Sequence, residues 1–145
     1  MMKQTKFFKY LTLSASLLML SLSLPAAATA EDTAKITETV MNYFEGIGQA
    51  DYQRLKKAFN LKAQMITPEK SELKVWKIAP TIKNWGNGKP ATKKRIGKIL
   101  NMHIMDGRLA SVSFDSDNQY YDLLVLAKME GEWKIINKAY VNKYE

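Results

Sequence analysis

Two dipeptides, Asp106-Gly107 and Glu130-Gly131, each stand between stretches of alternating apolar residues, and they limit the possible folds more than any other feature. An acidic residue followed by glycine suits the two left-handed backbone positions of a tight hairpin turn, so each dipeptide marks a reversal between antiparallel strands. Four strands are expected, over residues 96–105, 108–115, 120–129 and 133–141. The third is apolar on both alternating faces, with Tyr121, Leu123, Val125 and Ala127 set against Leu124 and Leu126. That pattern predicts a central strand covered on both sides.

The residues before these strands read as helices. Ile36, Val40, Met41, Phe44 and Ile47 recur at helical spacing within residues 33–47, after Glu31 and Asp32 and before Gly46 and Gly48, which are expected to end the helix. Asp51 is placed to cap a second short helix with Leu55, Ala58 and Phe59 inward. Thr67 and Pro68 resemble a cap and first helical position, predicting a third helix that carries Leu73 and Trp76 inward and is interrupted at Pro80, with Ile82 and Trp85 beyond it. Helices followed by an antiparallel meander make an α+β chain.

The first 30 residues read as a secretory signal peptide: a basic stretch with Lys3, Lys6 and Lys9, an apolar run over residues 11–24, and a tail ending in Ala28, Thr29 and Ala30. The apolar run is shorter than the roughly 20 residues of a membrane-spanning helix. Cleavage is expected after Ala30, leaving residues 31–145 as one exported domain, periplasmic or secreted. Losing three lysines lowers the net charge from +8 to +5. The chain has no cysteine, which excludes disulfides, thiolate metal sites, a catalytic thiol and a lipid-modified cysteine.

Tyr43, Phe44, Glu45 and Gly46 followed by Asp51 and Leu55, then Asp106, Gly107 and Ala110, then Asp122, Leu126, Lys128 and the closing run from Gly131 through Trp133, Lys134, Ile135, Asn137 and Lys138, resemble the putative lumazine-binding branch of the nuclear-transport-factor-2-like (SnoaL-like) superfamily. The resemblance spans nearly all of residues 31–145. It implies a cone-shaped, curved antiparallel sheet packed on N-terminal helices, a pocket opening between them and, often, a homodimer. It implies no particular reaction, because this superfamily holds isomerases, dehydratases, cyclases, binders and interaction modules.

Candidate site residues come from the hairpin registers. A two-residue turn at Asp106 and Gly107 sets His103, the only histidine, opposite Ala110, on a face with Asn101 and apolar neighbours. The same reasoning through Glu130 and Gly131 puts Asp122 on the face of Trp133, Ile135 and Asn137. Whether the two faces coincide depends on the parity of the connection after Asp115, which the sequence leaves open. Tyr43, Trp76, His103, Asp122 and Asn137 are the expected pocket lining, with His103 and Asp122 orienting a small apolar or aromatic ligand and the aromatic rings supplying contact area.

Three functions follow from this reading. The first is an exported, non-catalytic domain that binds such a ligand, or a protein partner, in the pocket. The second is a small cofactor-independent isomerase, dehydratase or hydrolase that moves a proton between His103 and Asp122. The third is a structural dimer using the outer sheet face.

No cofactor is expected, and a single histidine without cysteines or clustered carboxylates falls short of a zinc ligand set. Asp115 to Asn118 lacks the glycine and glutamate of a calcium loop and reads as a hairpin connection. Lys89, Lys93, Lys94, Arg95 and Lys98 read as a solvated basic loop, and nucleic acid is disfavoured by export and by the lack of interleaved aromatics.

Overall fold

The computed structural model describes residues 29–144. The predicted signal peptide lies outside the described residues except for Thr29 and Ala30. The elements in chain order are α1 (Ala30–Gln49), α2 (Tyr52–Ala58), β1 (Phe59–Glu69), β2 (Glu72–Lys77), α3 (Ile78–Gly86), β3 (Gly97–Met105), β4 (Leu109–Ser116), β5 (Tyr120–Met129) and β6 (Glu132–Asn142).

Helix α1 starts from a reciprocal cap. The Thr29 hydroxyl accepts the Asp32 amide at 3.0 Å while the Asp32 carboxylate faces back toward Thr29. The helix continues through Gly46 and Gly48 and stops at Ala50, which adopts a left-handed conformation with φ of 52°. Gly46 is therefore a packing residue, since a Cβ there would meet Leu55 Cγ at 3.0 Å. Asp51 caps α2 as expected, accepting the amides of Gln53 and Arg54 at 2.9 and 3.1 Å.

The third predicted helix does not start at Thr67. Residues 59–77 instead form the hairpin β1–β2, with Lys70 at positive φ in its turn. The alternation of Ala63, Met65 and Thr67 toward the core outweighs the cap-like Thr-Pro pair, and the Thr67 hydroxyl donates to the Tyr140 carbonyl at 2.6 Å. Pro68 fits because the paired register of β1 with β6 ends at Ile66. Pro80 lies in the first turn of α3, where its missing N–H leaves no helical bond unmade.

The six strands form one sheet in the order β2-β1-β6-β5-β4-β3. All neighbours are antiparallel except β1 and β6, which run parallel. This corrects the expected cone-shaped antiparallel sheet. The sheet is mixed and open, neither closed nor strongly curled, because β2 and β3 are its two ends and do not pair with each other. Among the described residues, three helices cover one face and none covers the other. Ile36, Val40, Tyr43 and Phe44 of α1, Leu55 of α2 and Ile82 of α3 pack on Val112, Phe114, Leu124, Leu126 and Ile135. Strand β5 is internal as predicted, but its Tyr121 and Leu123 are exposed, so it is covered on one side rather than two.

Two departures from regular pairing decide which side chains reach the core. The first hairpin closes at Met105 and Leu109 through Asp106, Gly107 and Arg108, a three-residue loop. His103 therefore stands opposite Ser111 rather than Ala110, on the outer face. The second hairpin closes at Met129 and Glu132 through a two-residue turn, as expected, with Glu130 and Gly131 both at positive φ. A bulge then follows, because Leu126 pairs with Ile135 but Val125 pairs with Asn137. The extra residue reverses the rest of β6, turning Asn137 outward and Lys138 inward.

Candidate functional site

Asp122 points from β5 toward the helices and is fully enclosed. One carboxylate oxygen accepts the Tyr43 hydroxyl of α1 at 2.7 Å, and the other is paired with the Lys138 ammonium of β6. All three residues are buried. The ammonium also lies 4.4 Å from the centroid of the Tyr140 ring, and Tyr140 in turn contacts Trp76 at 6.4 Å between centroids. Tyr43 packs edge-on against Phe59 at 5.5 Å and Phe114 at 6.3 Å. The cluster is thus an ion pair and a phenol enclosed by aromatic rings.

Burial, then the adjacent Asp122 charge and its hydrogen bond, raise the Tyr43 phenol well above the usual tyrosine range. Burial lowers the Lys138 ammonium, opposed by Asp122. Each Asp122 oxygen has a partner, so the cluster joins α1 to the sheet through satisfied bonds.

The five residues expected to line one pocket divide between two faces. Tyr43, Asp122 and Trp76 are on the helix side, with Trp76 opposite Met65 on the edge strand and partly exposed. His103 and Asn137 are on the outer side. They lie in one transverse row that runs His103, Ser111, Val125, Asn137 and Gln64 across β3 to β1. His103 and Asp122 are therefore separated by the sheet. Lys138 was not among the expected residues. The adjacent Ile135 and Ile136, which break the alternation just before it, are the sequence signal of the bulge that turns it inward.

The outer face carries a second row, Ser113, Leu123, Ala139, Ile66 and Val75, with Leu100 beside it at the irregular position of β3, and it contains no charged residue. Next to it lie Tyr121 and Val141, directly opposed. Pro68, Leu100, Ser113, Leu123, Ala139, Tyr121 and Val141 border a shallow trough of about 440 Å³. Its floor is the stretch of sheet where Phe114, Asp122 and Tyr140 pair. The Tyr43–Asp122–Lys138 cluster thus lies directly behind the trough, on the other side of the same backbone.

A second polar cluster fixes the start of α1. Asp32 accepts Lys128 Nζ at 2.8 Å and Trp133 Nε1 at 2.9 Å, and the Lys128 bond is the main reason its carboxyl is held well below the usual range. The basic loop is only partly free. Arg95 bonds Asp117 at 2.7 Å and the Phe44 carbonyl at 2.9 Å and stacks on the Phe44 ring, while Lys89, Lys93 and Lys94 are exposed. Asp115 and Asp117 are bonded to Lys143 and Arg95, as befits a hairpin connection. Among the described residues no three His, Cys, Asp or Glu side chains cluster as metal ligands, and no helix is long and apolar enough to cross a membrane.

A family model described as putative lumazine-binding matches residues 31–141. The chain is also similar to solved structures with the same fold. An NTF2-like protein of unknown function from Shewanella baltica is 23% identical, with a TM-score of 0.71 over 80% of this chain and 97% of that one. An NTF2-like protein of unknown function from Silicibacter pomeroyi is 22% identical, with a TM-score of 0.71 over 81% of this chain and 100% of that one. A ketosteroid isomerase-like protein from Erwinia carotovora is 14% identical, with a TM-score of 0.57 over 79% and 98%. No curated protein matches the sequence.

Proposed function

This chain belongs to the putative lumazine-binding family, and from that premise we propose that it is an exported, non-catalytic binding domain whose working surface is the outer face of its sheet, where a second copy docks. The observation that carries this reading is the uncharged row across that face. Leu100, Leu123 and Val75 are 47%, 49% and 49% exposed there, with Tyr121 and Val141 alongside. A contiguous apolar surface of this kind is expected where another molecule covers it.

Its layout follows the anatomy of an interface, with an apolar centre and a polar margin formed by His103, Ser111, Asn137 and Gln64. The face is broad and open, which suits a second protein surface better than a small molecule that must be mostly enclosed. A twofold dimer uses one patch on both copies, and this row offers both copies the same uncharged centre. The interior, by contrast, is filled by aromatic rings and a satisfied ion pair.

A second reading rests on the trough. At about 440 Å³ with a largely apolar border it is large enough for a small apolar or aromatic ligand. Proton transfer between His103 and Asp122 gains no support from side chains on opposite faces of the sheet.

Native mass spectrometry of the protein isolated from exporting cells, over a range of concentrations, tests these readings. A species of twice the chain mass that is lost in Leu123→Lys supports the dimer. A monomer retaining a small-molecule mass supports the ligand. A bare monomer at every concentration overturns both.

A further inference from the structure

We infer that the groove between the end of α1 and the loop that leads into β3 binds a single-chain amphiphile with an anionic head, of the fatty-acid kind. The groove has a volume of about 670 Å³. Helix α1 contributes Met41 and Phe44 to its lining, and the loop contributes Ala91, Ile96 and the exposed Lys93 and Lys94. It shares no lining residue with the trough on the outer face.

The loop is tied down on both sides of the two lysines. Before them, the Ala91 amide donates to the Gly48 carbonyl at 2.7 Å. After them, Arg95 donates to the Phe44 carbonyl at 2.9 Å and to Asp117 at 2.7 Å, with its guanidinium 4.3 Å from the centre of the Phe44 ring. A Cβ on Gly48 would meet Arg95 Cδ at 3.0 Å, so glycine there lets this side chain lie across the end of α1. The Ile96 amide donates to Asp117 Oδ1 at 2.9 Å, and its carbonyl accepts the Asp117 amide at 2.7 Å. Ile96 is thus held through both backbone groups and is still 68% exposed. A ligand meets walls already in place, which limits the ordering cost of binding, and covering Ile96 adds apolar burial.

Charge selects the head group. The acidic side chains near the groove are already neutralised: Glu45 by Arg54, Asp117 by Arg95 and Asp115 by Lys143. Among the described residues Lys93 and Lys94 have no carboxylate partner. An apolar lining bordered by two unpaired ammonium groups complements a chain that ends in an anion. The lining is recessed between helix and loop, so a free amphiphile can enter it where the flat face of a bilayer cannot. An acidic peptide would satisfy the lysines and leave Met41 and Ile96 uncovered.

The test is calorimetric titration of the protein isolated from exporting cells, stripped of bound lipid, with monomeric dodecanoate at low salt. Saturable binding of one dodecanoate per chain is expected. The variant Lys93→Gln, Lys94→Gln should weaken it roughly tenfold. Ile96→Ser should weaken it several-fold, and octanoate should bind the parent roughly tenfold or more less tightly. All of these substituted side chains are exposed, so an unchanged melt by circular dichroism identifies the loss as one of binding. No saturable binding overturns the inference, as does an unchanged affinity in the double lysine variant. Affinity lost in Leu123→Lys instead moves the ligand to the outer trough and overturns it too. Capture by phosphatidylglycerol vesicles without uptake of monomeric dodecanoate, or hexaglutamate binding as tightly as dodecanoate, overturns it in favour of a bilayer or an acidic protein. None of these outcomes decides the dimer, which is read from subunit mass.

Discussion

The Tyr43 hydroxyl donates to the Asp122 carboxylate at 2.7 Å, joining α1 to β5 across 79 positions of sequence, and the other Asp122 oxygen is neutralised by Lys138. Both bonds form within an apolar layer, so each partner depends on the others being in place.

Removing one member should cost far more than removing the charged pair together. Lys138→Met leaves a buried carboxylate without its counter-ion and is expected to destabilise the fold by about 3–5 kcal/mol. The double variant Asp122→Leu, Lys138→Met should recover most of that loss. Urea unfolding of both single variants and the double variant measures the coupling, and strictly additive losses would count against the pairing described here.

Tyr43→Phe removes a proton donor and leaves one Asp122 oxygen without it, an expected loss of about 1–3 kcal/mol by urea unfolding. The phenol also makes stability sensitive to alkali. Because its ionisation is raised in the folded state, its contribution is complete below the ordinary tyrosine value of about 10 and is lost as pH rises beyond it toward the folded value. Thermal unfolding between about pH 9 and 11 should show a steeper decline in the parent than in Tyr43→Phe.

Asp32 sets the acid limb in the opposite sense. Its carboxyl is lowered in the folded state, so its contribution is present above the unfolded value of about 3.9 and lost as pH falls through and below it. Asp32→Asn should flatten the decline of melting temperature below about pH 4. The shielded Trp133 indole, which donates to Asp32, offers a fluorescence readout of the same event.

His103→Leu should change stability by no more than about 0.5 kcal/mol, because the side chain stands on the exposed outer face. Leu123→Lys should be similarly benign to the monomer, since its side chain is half exposed. Circular dichroism melts of dilute samples check both. A large loss of helical signal in either variant would contradict the outward orientation of these rows.

The four strands β3 to β6, the positions of both glycine turns, the Asp51 cap and the helix carrying Tyr43 are readable from local pattern, because period, turn chemistry and capping act over a few residues. The family is readable for the same reason, since its marks are turn glycines and core positions that recur along the chain. Residues 67–77 read as a helix because a cap-like Thr-Pro pair and a strand alternation overlap there, and the strand is fixed by the hairpin pairing of Thr67 with Lys74 and Glu69 with Glu72 and by the Thr67 bond to the Tyr140 carbonyl.

Which residues meet was decided by tertiary structure. One additional loop residue at Arg108 and one bulged residue at Ile136 each shift pairing by a single position. A shift of one position exchanges the two faces of a strand, so His103 and Asn137 are carried outward and Lys138 is carried in to Asp122. The parallel pairing of β1 with β6 and the absence of pairing between β2 and β3 are long-range outcomes of the same kind. The amino-acid sequence by itself determined α1, α2, the strands β3 to β6 and the family. The tertiary structure determined that the sheet is open, that its polar residues divide between two faces, and that Leu100, Leu123 and Val75 stand half exposed on the outer one, because register and closure depend on partners that local pattern does not encode.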